Sequence, residues 1–381
     1  MWCRKCNMET NEKVCPVCGT ETVDDLPTQV YWCKECQAPI IYNTNAADKG
    51  VCPICGKKTR YMAQDLRPVF PEERLLLAVL LDCDPDEFMQ KPVWSQNSRY
   101  YVGDKSFALS TTLFQTADTD TIGQKVKELV NHIDYEPFNS EIAKFVRANQ
   151  HRLSYLKDEA VAFVQDAAKK YKPENIVISF SGGKDSTVTA DVVTKALSNP
   201  SLVHIFGNTT LEFPATIEYA NRYRNNHPLA IFQTAKNDEQ VFYDVCEDIG
   251  PPARMMRWCC SMFKTGPITR VINSLYRSQQ ILTFYGIRKS ESVARSKYNR
   301  IEDDSESVKI QQQTVASPIF FWKDIDIWLY LLAEDVDFND AYTATSHPFP
   351  GRIGFAPVQP GRLSACACPY SRRRCSSSAR G

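Results

Sequence analysis

Apolar side chains recur every three or four residues at Leu153, Leu156, Ala160, Phe163, Val164 and Ala167, which predicts a helical stretch running from Phe138 to Tyr171. Pro173 ends it. The period then collapses: Ile176, Val177, Ile178 and Phe180 form a short apolar run of the kind that fills a strand buried on both faces. From there strand-like and helix-like segments alternate. Leu202 to Gly207, Leu229 to Thr234 and Ile281 to Ile287 read as strands. Thr187 to Leu197, Phe213 to Arg224, Asp238 to Ile249 and Arg257 to Tyr276 read as helices, the last interrupted at Pro267. This alternation predicts an α/β fold with a mainly parallel, doubly wound sheet.

The pattern upstream is different. Leu75, Leu76, Val79 and Leu80 put an apolar face on a short helix from Glu72 to Leu81. Ser98 to Val102 and Ser106 to Leu109 flank Gly103-Asp104-Lys105 as a hairpin, and Thr121 to His132 reads as a helix. A small α+β domain over residues 63–138 is expected, ahead of a nucleotide-binding domain over 139–342. Residues 1–62 hold too little apolar surface to fold without staples, and 343–381 lack hydrophobic periodicity.

Composition narrows the class. A hydrophobic content of 43% and a charged content of 24% describe an ordinary globular chain. The formal net charge of zero removes any global electrostatic case for nucleic acid or an anionic membrane. No apolar run is long enough to span a bilayer, and the N-terminus lacks the apolar core of a signal peptide, so a cytoplasmic location is expected. In a reducing compartment, the 15 cysteines point to metal rather than disulfides.

Eight of those cysteines form four Cys-x-x-Cys pairs: Cys3/Cys6, Cys15/Cys18, Cys33/Cys36 and Cys52/Cys55. Two continue as Cys-Pro-x-Cys-Gly, the form of a zinc knuckle whose glycine permits the tight turn. Joining neighbours gives two four-thiolate sets, each suited to one tetrahedral, structural Zn²⁺ with no open position for chemistry. A thioredoxin-like redox role is the lesser alternative, since no βαβ pattern surrounds a pair. Tyr31, Trp32, Lys34, Lys57, Lys58, Arg60 and Tyr61 around the knuckles suit contact with nucleic acid or a partner protein, and equally a solvated surface.

The most specific signal is Ser181-Gly182-Gly183-Lys184-Asp185-Ser186, set between the Ile176–Phe180 strand and the following helix. Glycines admit a close ligand, and the first N–H groups of a helix have no internal partner, so this turn is an anion site. It lacks the four-residue spacing of a Walker A loop. Ser-Gly-Gly-x-Asp-Ser resembles the PP-loop of the adenine nucleotide alpha hydrolases, which include phosphoadenosine phosphosulfate (PAPS) and adenosine phosphosulfate (APS) reductases, ATP sulfurylases and tRNA thiolation enzymes.

Further motifs in chain order resemble the PAPS/APS reductase family. Asn208-Thr209 and Phe213-Pro214 are similar to its Asp-Thr-x-x-x-Phe-Pro segment, with Asn in place of the usual Asp. Cys259-Cys260 with Lys264 and Pro267 resembles Cys-Cys-x-x-x-Lys-x-x-Pro. There the resemblance implies ligands of a [4Fe–4S] cluster and a lysine facing the charged end of the substrate. Gly286-Ile287-Arg288, Glu291 and Arg295 resemble an oxyanion-binding arm, in which guanidinium forks match a sulfate or phosphate and Glu291 orients one of them. Pro318 and the Trp322–Tyr330 segment resemble a structural element of the same family.

The resemblance implies that Ser181, Gly182, Gly183, Lys184, Asp185, Ser186, Asn208, Thr209, Glu291 and Arg295 bind nucleotide, and that Lys264, Arg288 and Ser186 serve catalysis. The end of the chain departs from the family. Phe355 follows Arg352-Ile353-Gly354 where relatives place a cluster cysteine. A truncated or frame-shifted end that holds a cluster poorly is expected from about residue 355, the alternative being that Cys366, Cys368 and Cys375 supply ligands beside Cys259 and Cys260. The expected function is binding of APS, PAPS or ATP, with transfer or reduction of sulfur and with a sulfur- or electron-donor protein as partner. The alternatives are an ATP pyrophosphatase that activates tRNA or DNA for thiolation, and a non-catalytic nucleotide sensor that binds nucleic acid.

Overall fold

The computed structural model describes residues 2–3, 5–6, 8–10, 12–22, 28–43, 49–253, 255–277, 279–292, 295–303 and 313–343. The atypical segment from Arg352 and the late cysteines lie outside the described residues.

The first cysteine module carries the two-residue strands β1 (Trp2–Cys3) and β2 (Met8–Glu9), paired antiparallel. In the second, β3 (Thr28–Cys33) is flanked by β4 (Ala38–Asn43) and β5 (Arg60–Ala63), again antiparallel. The next segment forms β6 (Arg67–Pro68), α1 (Pro71–Leu80), α2 (Pro85–Met89), β7 (Val93–Gln96), β8 (Arg99–Val102), β9 (Lys105–Ala108), α3 (Thr111–Thr116) and α4 (Thr119–Leu129). Its four strands pair in the order β6-β7-β8-β9, so the expected hairpin is the outer half of a larger antiparallel sheet. Pro85 opens α2, where Asp84 caps the first turn by accepting from the N–H groups of Asp86 and Glu87.

The helical stretch expected from Phe138 to Tyr171 is two helices, α5 (Glu136–Ala148) and α6 (Gln150–Ala168), broken at Asn149. The cause is a contact from far away in the chain. The Asn149 carboxamide accepts the Ile41 N–H at 2.7 Å and donates to the Pro39 and Phe145 carbonyls at 3.0 and 2.8 Å. A side chain that is 2% exposed thus continues the β4 backbone pairing into the helix junction. Helical periodicity cannot register such a contact, because the bond partners lie more than 100 residues upstream.

The remainder comprises β10 (Ile176–Phe180), α7 (Lys184–Leu197), β11 (Val203–Asn208), α8 (Pro214–Asn226), β12 (Ile231–Lys236), α9 (Phe242–Ile249), α10 (Gly266–Tyr276), β13 (Ile281–Phe284), β14 (Ile301–Glu302), β15 (Gln313–Ala316) and α11 (Asp324–Ala333). The sheet order is β12-β11-β10-β13-β15-β14, parallel throughout except for the β14 edge. The order reverses direction between β10 and β13, which defines the switch point where α/β sheets open a crevice. β15 is an added core strand that periodicity did not reveal, being only four residues long.

One apolar core joins the second cysteine module, the segment after it and the parallel-sheet domain. Trp94 of β7 packs on Phe145 of α5 with ring centroids 4.8 Å apart, and Phe70 meets Trp328 of α11 at 5.2 Å. Arg152 of α6 holds Asp326 of α11 through two bonds of 3.0 and 2.9 Å, and reaches Asn43 of β4 at 3.0 Å. Among the described residues, no helix is long and apolar enough to cross a membrane.

Replacing Asn149 by Ala would strand the buried Ile41 N–H and Pro39 carbonyl. The expected cost is roughly 2–4 kcal/mol, read as a lowered denaturant midpoint, whereas Asn149→Asp should lose less because it keeps the acceptor.

Candidate nucleotide-binding site and metal centres

β10 ends at Phe180, and the chain turns through Gly182 with φ of +71° before α7 starts at Lys184. The N-cap of α7 is Gly183, which has no side chain to satisfy the helix amides. The Lys184 N–H donates to the Tyr342 hydroxyl at 3.2 Å, leaving the next amides, of Asp185 and Ser186, at the helix start. Ser186 closes the loop on itself. Its Oγ accepts the Ser181 N–H at 3.1 Å and donates to the Gly183 carbonyl at 2.8 Å. From behind, Asn339 donates to the Gly182 carbonyl at 3.0 Å and to Thr216 at 2.9 Å.

Gly286, just past β13, abuts this turn. A Cβ there would stand 2.7 Å from the Asp185 carbonyl carbon and 2.8 Å from the Ser186 nitrogen, so only glycine lets β13 pack against the start of α7. The strand end and the loop are therefore fitted backbone to backbone.

Below the loop lies a closed layer of charge. The Lys184 ammonium, fully buried, sits 3.1 Å from Asp185 and 3.0 Å from Asp324. Arg288, 3% exposed, donates to the same two carboxylates at 2.8 and 3.0 Å. Burial pushes the Asp185 carboxyl up, but Arg288 and Lys184 outweigh it and hold the carboxyl below the usual range. Burial likewise opposes the charge on Lys184, and Asp185 and Asp324 override it.

Of the cations expected to meet phosphate or sulfate, Lys264, Arg288 and Arg295, this layer holds Arg288. The Lys184 ammonium and the Arg288 guanidinium are turned inward and matched by carboxylates, because Asp324 arrives from the start of α11 to complete the set. Glu291 and Arg295 pair with each other. At the end of β11, Asn208 accepts the Thr210 N–H at 2.9 Å, and Thr209 donates both its N–H and its hydroxyl to Glu212. Asn208 thus supplies a turn acceptor, a role a neutral amide fills without an acid.

Cys259 and Cys260 lie in and beside a π-helical turn, Cys260–Thr265, that includes Lys264. Cys259 packs among Phe242, Val245, Trp258 and Phe263, and Arg257 lies 3.5 Å from the Cys260 sulfur. Among the described residues no third cysteine, histidine or carboxylate joins these thiols in a metal-ligand group. Two thiols do not make a four-ligand cluster site.

The N-terminal cysteines do come together. Cys3, Cys6, Cys15 and Cys18 form one set and Cys33, Cys36, Cys52 and Cys55 the other, with ligand atoms in each within 4.8 Å of one another. Individual sulfurs approach to 3.4 and 3.9 Å in the first set and 3.6 Å twice in the second. Sulfurs about 2.3 Å from a tetrahedral ion would be about 3.8 Å apart, so both sets fit a four-thiolate metal site. Backbone N–H groups of Cys6 and Cys36 donate to Cys3 and Cys33 sulfurs, orienting them as knuckle turns do.

Three residues of the site escaped sequence reasoning. Asn339 and Tyr342 hold the loop but stand in no recognisable motif. Asp65 is the other omission: its carboxylate accepts the N–H groups of Asp324 and Ile325, both at 3.0 Å, and so caps α11 from 259 residues away.

An anion-ready helix start at the switch point of a parallel sheet, with its loop pinned from three directions, defines a nucleotide-binding α/β domain of the PP-loop type. Residues 175–354 match the family model of the phosphoadenosine phosphosulfate reductase domain. An uncharacterized protein of Methanocaldococcus jannaschii is 32% identical over 208 residues, which cover 55% of this chain and 42% of the relative. Adenosine 5′-phosphosulfate reductase of Staphylococcus haemolyticus is 24% identical over 174 residues, 44% of this chain and 64% of that enzyme. The chain therefore spans less than two thirds of either relative. The crystal structure of phosphoadenylyl-sulfate reductase from Candida auris, a phosphate complex, aligns with a TM-score of 0.37 and 16% identity over 50% of this chain and 90% of that one.

The cap at Asp65 carries a pH signature. Burial, then the nearby Asp324 charge, push its carboxyl up to about 6. A raised carboxyl contributes stability that is complete below its unfolded value and is lost as pH rises through the folded one. The stability difference between the parent and Asp65→Asn should therefore shrink by roughly 1 kcal/mol from pH 5 to 7.5, measured by denaturant unfolding at each pH.

Proposed function

We propose that the chain binds an adenosine phosphosulfate-type nucleotide at the glycine loop and reduces or transfers its sulfur. The observation that supports this reading most is the helix start at Gly183, an N-cap with no side chain of its own to satisfy the Asp185 and Ser186 amides, at the positive end of the α7 dipole. In this reading the amides of Gly182, Gly183, Asp185 and Ser186 receive the phosphate nearest the nucleoside. Ser186 holds the loop in shape. Lys264 and Arg295 meet the distal oxyanion, while Arg288 positions the loop through Asp185 rather than touching substrate.

The two thiolate sets hold one structural Zn²⁺ each, closing the N-terminal modules without entering the reaction. A [4Fe–4S] cluster at Cys259 and Cys260 would supply redox chemistry, but the described residues provide only half its ligands, and no step is assigned to it.

A second reading, an ATP pyrophosphatase that activates a nucleic acid for sulfur insertion, draws support from the intimate joining of the N-terminal modules to the loop domain through Asp65, Arg152 and Asn149. Those contacts give the modules a part in the site that sulfonucleotide reduction alone does not require.

Competition binding of ATP, APS and PAPS to anaerobically purified protein separates these readings. Preference for APS or PAPS supports the first, and preference for ATP that strengthens with added tRNA supports the second. Ser186→Ala should weaken the preferred nucleotide about tenfold, or about 1.4 kcal/mol, by loosening the loop. Elemental analysis should return two zinc ions per chain, and Cys33→Ser should remove one and lower the thermal midpoint.

A further inference from the structure

A cavity of about 410 Å³ lies where the segment between β5 and β6, the β7 strand end and the loop domain meet. Its volume falls within the roughly 300–1,000 Å³ range of small-molecule sites. The charged residues of its wall are three cations, Arg67, Arg288 and Lys323, and three carboxylates, Asp65, Glu291 and Asp324. These charges are largely spoken for. Arg67 is held by both oxygens of Glu73 at 2.6 Å, Arg288 by Asp185 and Asp324, and Glu291 by Arg295. The Asp65 oxygens are taken by the α11 amides. A phosphate entering the cavity would meet as many carboxylates as cations, so the wall favours an uncharged occupant.

What the wall does offer is neutral hydrogen bonding. Gln64, Gln96 and Asn97 present carboxamides, and Ser95 presents a hydroxyl. Ser95 is 1% exposed, and its Oγ has no hydrogen-bond partner among the described residues. A buried hydroxyl left unpaired is costly, and a ligand that satisfies it recovers that cost. Carboxamides carry a donor and an acceptor side by side, the pattern that pairs with the edge of a nucleobase. The cavity also adjoins the glycine loop, because Arg288 lines one and braces the other.

We propose that this composite cavity binds a nucleoside group, with Gln64, Gln96 and Asn97 reading the base edge and Ser95 engaging the ligand from the floor. The N-terminal half of the chain then supplies recognition, while the loop domain supplies the phosphate site. Its placement beside a nucleotide-binding loop rests on the reading proposed above. The nucleoside comes either from the adenine nucleotide on the loop or from an acceptor nucleic acid, two sources with one recognition chemistry.

The test is calorimetric titration of the full, zinc-loaded chain and its Gln64→Ala/Gln96→Ala variant with inorganic pyrophosphate, ATP and bulk tRNA. Neither side chain is buried, so the variant should fold. The expected result is unchanged pyrophosphate binding with at least tenfold weaker binding of ATP, if the nucleotide is the source, or of tRNA, if the acceptor is. Unchanged binding of both ATP and tRNA overturns the proposal. So does a matching loss of pyrophosphate binding, since the carboxamides would then act on the loop itself. A parent chain that binds neither pyrophosphate nor ATP defeats the functional reading, while the tRNA titration still decides the cavity: tenfold loss supports it, and no loss, or no tRNA binding by the parent, overturns it.

Discussion

The Lys184, Asp185, Arg288 and Asp324 quartet is the interaction on which the rest of this structure hangs. Four charges removed from water would each be costly alone, and only their mutual geometry offsets that cost. Its members come from three junctions: two from the start of α7, one from beyond β13, one from the start of α11. The quartet therefore locks three strand-to-helix connections together at the point where the sheet order reverses. The backbone fit of Gly286 against Asp185 belongs to the same constraint, since it sets how near β13 can bring Arg288. The loop above presents bare amides because everything beneath it is neutralised and fixed.

The N-terminal modules are part of that fixation. Asp65 caps the very helix whose first residue is a member of the quartet, and Arg152 spans from Asn43 to Asp326 two residues further along. Together with the Phe70–Trp328 contact, these bonds make the modules a brace for α11. The second cysteine set, with Cys33 at the end of β3, stands at the far end of the brace, and β4, paired to β3, is gripped in turn by Asn149.

What could be read in the sequence was local. The glycine loop, the strands around it and the cysteine knuckles depend on residues within a few positions of one another, and their chemistry was legible from residue type and spacing. The identity of Gly286 at a strand end was legible for the same reason. The break at Asn149 was hidden because it is imposed by β4, and helical periodicity continues through it undisturbed. The inward turn of Lys184 and Arg288 was hidden because their charges looked available until Asp324 was brought beside them. Asp65 was the least legible of all, a lone carboxylate in a short connection whose purpose exists only at the beginning of a helix some 259 residues later.

That long-range cap means that the covalent map of the chain and its mechanical map disagree. A cut near residue 139, where composition suggests a clean seam, would remove the carboxylate that caps the start of α11 and the strand that Asn149 grips. The severed loop domain would keep every motif of its family yet open unpaired amides beside its own charge quartet. Inheritance of such a chain is accordingly constrained as one unit: recombination at the apparent seam would deliver all the recognisable chemistry and leave behind the frame that keeps it in register.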